Sequence, residues 1–127
     1  MLEAGITGQQ TMKVEKEHTA EVMKSGTLAV FATPAMVALI EETAWKSVAG
    51  ELEEGCVTVG TSLNIRHLSA SPVGMQVTCR TTLVEVDDRL LVFSVEVEDE
   101  KGKIGEGTHE RFIVQADRFQ KKADAKL

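Results

Sequence analysis

The chain has 127 residues, a formal net charge of −6 and two cysteines, which predicts one acidic domain that can bury a core without disulfides. The charge argues against nucleic-acid binding, because the only clustered cations, Lys121 and Lys122, lie near the C-terminus. The sequence has neither an apolar run long enough for a bilayer nor a pattern of metal ligands, so we predict a cytoplasmic protein without membrane, metal or cofactor.

The first half of the chain predicts one strand and one long helix. Alternating apolar and polar residues favour a first strand at 11–17, whereas 18–32 has no readable period. The helix is predicted to begin at Thr33 as its N-cap, with Pro34 at the first helical position. Gly50 is typical of the residue just past a helix end.

The second half predicts four long strands. Their apolar alternation covers residues 57–67, 77–86, 90–97 and 104–114. Turn residues separate them, so we expect an antiparallel meander that curves around the helix in an α+β fold. We treat 1–127 as a single domain and 120–127 as a frayed tail.

Glu41 is the most unusual residue of the predicted helix. On a helical wheel of about 100° per residue it falls inside the apolar arc, while Glu42 falls outside. The arc consists of Met36, Val37, Ile40, Ala44, Trp45 and Val48. A buried carboxylate without a partner costs on the order of several kcal/mol, which favours a functional role. The wheel equally allows a side chain at the rim of the arc that reaches solvent.

Thr33 and His67 are further candidates, each with a structural alternative. A threonine at a helix start lies beside free backbone N–H groups, where an oxyanion could be stabilised, or it is simply a cap. Thr33 and Glu41 are roughly 12 Å apart along the helix axis, so we expect no direct hydrogen bond between them. His67 ends a predicted strand in its inward phase, where it could be an acid, a base or an orienting group. A structural role is the alternative for His67 and equally for His109.

Three segments occur together, in this order, in a known family. They are VFATPAMVALIE at 30–41, GTSLNIRH at 60–67 followed by SPVG at 71–74, and GEGTHER at 105–111. They resemble the hot-dog-fold acyl-CoA thioesterases related to the fluoroacetyl-CoA-specific enzyme. The resemblance extends from about Thr11 to Phe119.

The resemblance implies a hot-dog fold, a homodimer (with a dimer of dimers as an alternative) and an acyl-CoA substrate whose coenzyme A is not a cofactor. The family's catalytic threonine, glutamate and histidine correspond to Thr33, Glu41 and His67. Its substrate-contacting residues correspond to Phe31, Gly60 and Arg111.

One segment departs from the family pattern. The fluoroacetyl-CoA-specific enzyme has a longer lid, rich in Phe and Pro, before its helix, whereas residues 18–30 here contain neither. We therefore expect hydrolysis of a short or medium acyl-CoA without selectivity for a fluorinated group. Glu41 would activate water or attack the thioester to form an anhydride. The alternatives are a non-catalytic acyl-CoA-binding module and an enoyl-CoA hydratase or dehydratase of the same fold.

Overall fold

A five-stranded antiparallel sheet curves around one long helix in the computed structural model, which describes residues 2–127. The strands are β1 (Thr7–Lys13), β2 (Cys56–His67), β3 (Gln76–Asp87), β4 (Leu90–Asp99) and β5 (Gly102–Gln115). The α-helices are α1 (Ala20–Met23), α2 (Thr33–Val48) and α3 (Ala116–Asp124), with 3-10 turns at Lys16–His18 and Ala49–Glu51. The predicted α+β plan is confirmed.

The strand order is β1-β3-β4-β5-β2, so the predicted meander of four successive strands is wrong for β2. β2 pairs with β5 along its length. β3 lies between β1 and β4 and pairs with both. Residues 68–75 carry the chain past the strand ends, where Phe31 N donates to Ser71 O at 2.8 Å. Alternation predicts that a segment is a strand, but it does not identify the neighbouring strand. Because β1 and β2 are each paired with one strand only, they form the two edges of the sheet.

Helix α2 packs against the concave face of the sheet. Seven of its residues are buried: Ala35, Met36, Leu39, Ile40, Thr43, Ala44 and Val48. The buried stripe is thus rotated from the predicted arc, and Trp45 is 42% exposed instead of buried. Val37, Glu41 and Trp45 follow one another at four-residue spacing on the flank of α2. This flank faces β2, since Glu41 lies over Gly60.

The ends of several elements differ from the prediction. The N-cap of α2 is Ala32, which makes no side-chain cap, and Thr33 is the first helical residue. The first strand is β1, displaced from the predicted 11–17 toward the N-terminus. The tail predicted to fray from residue 120 is helical as far as Asp124, because the Gln115 side chain caps α3. Of the helices in residues 2–127, none has the length and apolar character to cross a membrane.

Candidate active site

Thr33 and His67 form a hydrogen-bonded pair at the start of α2. Thr33 Oγ1 lies 2.8 Å from His67 Nδ1. The hydroxyl is free for this bond because it does not cap the helix. His67 is the last residue of β2 and is half-buried, as its inward phase predicts. The fold thus brings a hydroxyl and an imidazole together at the positive end of a helix dipole.

The surroundings of His67 favour its neutral form. Burial lowers the pKa of His67 below its ordinary value. The ring packs edge-on against Phe31, with 6.2 Å between centroids. Its buried Nε2 has no hydrogen-bond partner within residues 2–127. A neutral imidazole with an unused nitrogen can accept or deliver a proton.

An open cleft of about 280 Å³ adjoins this pair. It is lined by Ala20, Ser25, Val30, Phe31, Ala32, Thr33, His67, Leu68, Ser69 and Ala70. The predicted substrate-contacting Phe31 is therefore at the cleft, although its side chain is almost wholly buried.

Glu41 pairs with Arg111 on the flank of α2. Arg111 Nη1 lies 3.3 Å from Glu41 Oε2, and 6% of the arginine side chain and 38% of the glutamate side chain are exposed. Arg111 is anchored on β2, where its Nε donates to Thr58 Oγ1 at 2.8 Å and its Nη2 to Thr58 O at 3.0 Å. The glutamate is thus at the rim of the helix contact, but a buried guanidinium holds one of its oxygens. A charge-assisted bond of this kind is stronger than a neutral one.

Gly60 provides the space that the Glu41 carboxylate occupies. A Cβ at this position would lie 2.7 Å from Glu41 Oε2 and 3.3 Å from Arg111 Nη1. Any larger residue would push the carboxylate away from β2. Gly60 and Arg111, both predicted to contact substrate, therefore lie against Glu41 from the sheet side.

His109 belongs to the same cluster, although the sequence offered a structural role for it as it did for His67. It is fully buried, with Nε2 3.1 Å from Arg111 Nη1 and Nδ1 2.9 Å from Ser62 O. Burial, and to a lesser extent the nearby Arg111, lower the pKa of His109. The available signal was its spacing: residues two apart on a strand share a face, so His109 had to accompany Arg111.

The two groups of residues are separate within one chain. No hydrogen bond or ion pair between residues 2–127 joins Thr33 or His67 to Glu41 or Arg111. Thr33 and Glu41 are on the same helix, roughly 12 Å apart along its axis. The expectation that they do not bond is confirmed.

Comparison with known proteins assigns the family. The sequence model described as fluoroacetyl-CoA-specific thioesterase, FlK, matches residues 14–117 of this chain. The fluoroacetyl-CoA thioesterase of Streptantibioticus cattleyicolor is 37% identical over 97 residues, which cover 76% of this chain and 70% of that protein. The chain belongs to the fluoroacetyl-CoA-specific thioesterase family.

Solved structures agree with this assignment. A structure of the fluoroacetyl-CoA thioesterase FlK aligns with a TM-score of 0.95 at 29% identity, covering 100% of this chain and 98% of the other. A hot-dog-like protein from Thermanaerovibrio acidaminovorans is similar in fold, with a TM-score of 0.90 at 23% identity over 99% of this chain and 93% of the other. The predicted hot-dog fold is confirmed. The prediction of an acyl-CoA thioester hydrolase is confirmed as well.

In this member of the fluoroacetyl-CoA-specific thioesterase family, residues 20–30 form a short excursion that lines part of the open cleft beside His67. Backbone bonds close its base, from Ala20 N to Val30 O and from Ala32 N to His18 O, each at 2.9 Å. Three of its apolar side chains, Val22, Met23 and Leu28, are exposed, Leu28 to 67%. Residues 20–30 contribute Ala20, Ser25 and Val30 to the cleft, and the buried Phe31, directly after them, is the aromatic side chain in its lining.

A second groove, of about 360 Å³, adjoins Arg111. It is lined by Trp45, Ala49, Leu52, Cys56, Val57, Thr58 and Arg111. Trp45 and Val57 are both exposed along it. This groove is mostly apolar, which suits an acyl chain.

Proposed function

We propose that this thioesterase hydrolyses short or medium acyl-CoA as a homodimer, with Thr33, Glu41 and His67 as catalytic residues. The observation that carries the proposal is the Glu41 carboxylate, which a buried arginine holds by one oxygen while the side chain stays partly exposed. Such a carboxylate is placed to act on a substrate. The free cysteines Cys56 and Cys79 fit a reducing compartment, which we propose is the cytoplasm.

The proposed reaction uses the N-terminus of α2 as an oxyanion site. The first turn of a helix leaves backbone N–H groups without intrahelical partners, and the Thr33 hydroxyl lies beside them. Glu41 takes a proton from the attacking water or itself attacks the carbonyl carbon. The carbon–sulfur bond then breaks, and the thiolate of coenzyme A receives a proton from the Thr33–His67 pair. On the first route, the proton that Glu41 took from water returns to the Thr33–His67 pair. On the second, water attacks the anhydride, the bond between the acyl carbon and the Glu41 oxygen breaks, and a proton of that water restores the pair. On either route the products are the free acid and coenzyme A, and Glu41 is again a carboxylate.

The proposed dimer forms through the open edge of β2. A strand of 12 residues with one unpaired edge can pair with a second chain. Exposed Val57 and Leu63 on β2 and exposed Trp45 on α2 would be covered by that partner. Apolar side chains along an edge of this length support a closed two-fold dimer.

This dimer would also bring the Thr33–His67 pair of one chain toward the Glu41–Arg111 pair of the other. If β2 pairs with its copy antiparallel and about its centre, His67 lies opposite Cys56 of the partner subunit. Cys56 lines the apolar groove beside Arg111. Glu41 of the partner subunit lies over Gly60, four residues or roughly 13 Å along β2 from Cys56. The acyl group would span this distance, between Thr33 and His67 of one chain and Glu41 of the partner subunit.

The groove sets the proposed substrate class. Its apolar lining, with Trp45 and Val57, would accept an acyl chain longer than acetyl. The excursion of residues 20–30 brings no aromatic side chain to the cleft. We therefore propose no preference for a fluorinated acyl group over an unfluorinated one of similar size.

The experiment is a panel of acyl-CoA substrates of increasing chain length, with free thiol measured on release. We expect wild type to turn over the panel, and Glu41→Gln to lose turnover by orders of magnitude at an unchanged melting temperature. Glu42→Gln is the matched control, because Glu42 interacts with Lys46 and Gln10 on the opposite flank of α2. Wild-type turnover in Glu41→Gln would refute the assignment of this residue.

A further inference from the structure

We propose that His109 is a positioning residue for the reaction: as a neutral imidazole protonated on Nδ1, it holds the Arg111 guanidinium in place beneath Glu41. The inference rests on the proposed catalytic role of Glu41. His109 itself is fully buried and would not touch the substrate.

The two hydrogen bonds of His109 determine its protonation. Ser62 O can only accept, so Nδ1, at 2.9 Å, must carry a hydrogen. Arg111 Nη1 can only donate, so Nε2, at 3.1 Å, must be without one. Only the neutral Nδ1–H tautomer satisfies both bonds, and an imidazolium would lose the bond to Arg111 and add a second buried cation.

Arg111 Nη1 is the nitrogen whose position matters. Thr58 takes the donors of Nε and Nη2, which anchors the far side of the guanidinium on β2. Nη1 carries two hydrogens, and its two partners are Glu41 Oε2 and His109 Nε2. With His109 Nε2 absent, one buried N–H has no acceptor, and the guanidinium can tilt until it finds one. The Glu41 carboxylate, held at 3.3 Å by the same nitrogen, would move with it.

The packing around the ring supports a positioning role. Phe93 stacks on His109, with 6.2 Å between centroids and 28° between ring planes. On another side the ring lies against Gly60, where a Cβ would be in ordinary contact with His109 Cε1 at 3.4 Å. The imidazole is therefore fixed in orientation as well as in protonation. A residue that only filled space would not need a polar atom aimed at each partner.

Two amide substitutions separate the hydrogen bond between Nε2 and Arg111, which positions the guanidinium, from the hydrogen bond between Nδ1 and Ser62 O. The side chain of His109→Gln is long enough to offer an acceptor near the position of Nε2. His109→Asn offers a donor near the position of Nδ1 and none of the reach toward Arg111. We expect His109→Gln to stay within a few-fold of wild type, and His109→Asn to lose about 10-fold in kcat with little change in KM. Thr108→Val, on the opposite face of the same strand, is the control.

The outcomes separate this inference from the proposed function. Equal kcat for His109→Asn and wild type, or equal losses in both amide variants that follow their melting temperatures, would overturn the positioning role alone. Full activity in Glu41→Gln would instead remove the role of Glu41 on which the inference rests. Because His109 acts through Glu41, adding His109→Asn to Glu41→Gln should cost no further activity. Nitrogen NMR of the imidazole should show Nδ1 protonated and Nε2 unprotonated at neutral pH, and the reverse pattern or an imidazolium would overturn the inference directly.

Discussion

Replacing Gly60 with alanine should displace the Glu41 carboxylate without disturbing the fold. The new Cβ would lie 2.7 Å from Glu41 Oε2, and that oxygen must retreat to about 3.4 Å to regain an ordinary contact. The oxygen is at the end of a flexible side chain, so the movement costs little stability. Misplacement of a reacting group by up to about 1 Å can lower a rate on the order of 100-fold. We therefore expect kcat of Gly60→Ala to fall about 10- to 100-fold.

The assay is thiol release from a good acyl-CoA substrate, together with thermal unfolding of each variant. Gly50→Ala is the matched control, since a Cβ at Gly50 would meet nothing within 4 Å. Both variants should melt within a few degrees of wild type, because alanine also restricts the unfolded chain. Wild-type kcat in Gly60→Ala would refute the placement of the carboxylate over this glycine.

Three further predictions follow from the same structure. Thr33→Ser should keep most of kcat, whereas Thr33→Val should lose at least about 10-fold in kcat. Only serine keeps the hydroxyl that bonds His67 at 2.8 Å. Equal values of kcat in the two variants would contradict a role for that hydroxyl. Burial lowers the pKa of both His67 and His109, so as the pH falls through the ordinary histidine value of 6.5 the unfolded chain binds protons that the folded chain does not. The free energy of unfolding in urea should then decrease below pH 6.5, less so in a His67→Gln/His109→Gln variant, and an equal decrease in that variant would contradict this origin. Gly107→Ala should lower the melting temperature of the protein more than Gly102→Ala. Both glycines have positive φ, of +154° and +143°, but only at Gly107 would the added Cβ clash with the backbone of β2. Equal melting temperatures of the two variants would contradict the clash.

Local patterns predicted the elements of this fold well and their pairing poorly. Alternation identified β2 as a strand, because this depends on neighbouring residues alone. The single inward phase expected for 57–67 is wrong for its first half: a β-bulge between Gly60 and Ser62 shifts the pattern, so Thr58 and Gly60 face Arg111 and Glu41 instead of Val57 and Val59. The pairing of β2 with β5 depends on where the chain crosses the sheet, which no local pattern records. The same limit applies to the long helix. Its period was clear, but the width of its buried stripe depends on the curvature of the sheet, so Trp45 was predicted buried and is exposed.

The residues of the candidate site were likewise predictable from the sequence, whereas their contacts were not. Thr33 had the sequence context of a helix cap, and a cap and a hydroxyl that bonds elsewhere share the same local signal. The two roles are distinguished only by the fold, in which the end of β2 places His67 within hydrogen-bonding distance of Thr33. The partner of Glu41 was not predictable from the helix either, because Arg111 is on the last strand, 70 residues further along. His109 carried the same structural alternative as His67. Its spacing put it on one face of a strand with Arg111, but its bond to Ser62 O forms only because β5 pairs with β2.

Mixed dimers provide the most direct test of a site shared between two chains. Thr33→Val and Glu41→Gln chains, each with its residual activity measured alone, would be unfolded together and refolded in equal amounts. If Glu41 acts with Thr33 and His67 of the partner subunit, each mixed dimer contains one intact site, and thiol release should return to about one quarter of the wild-type rate by statistical pairing. Activity no higher than that of the separate variants, in a sample shown to contain mixed dimers, would contradict the shared site.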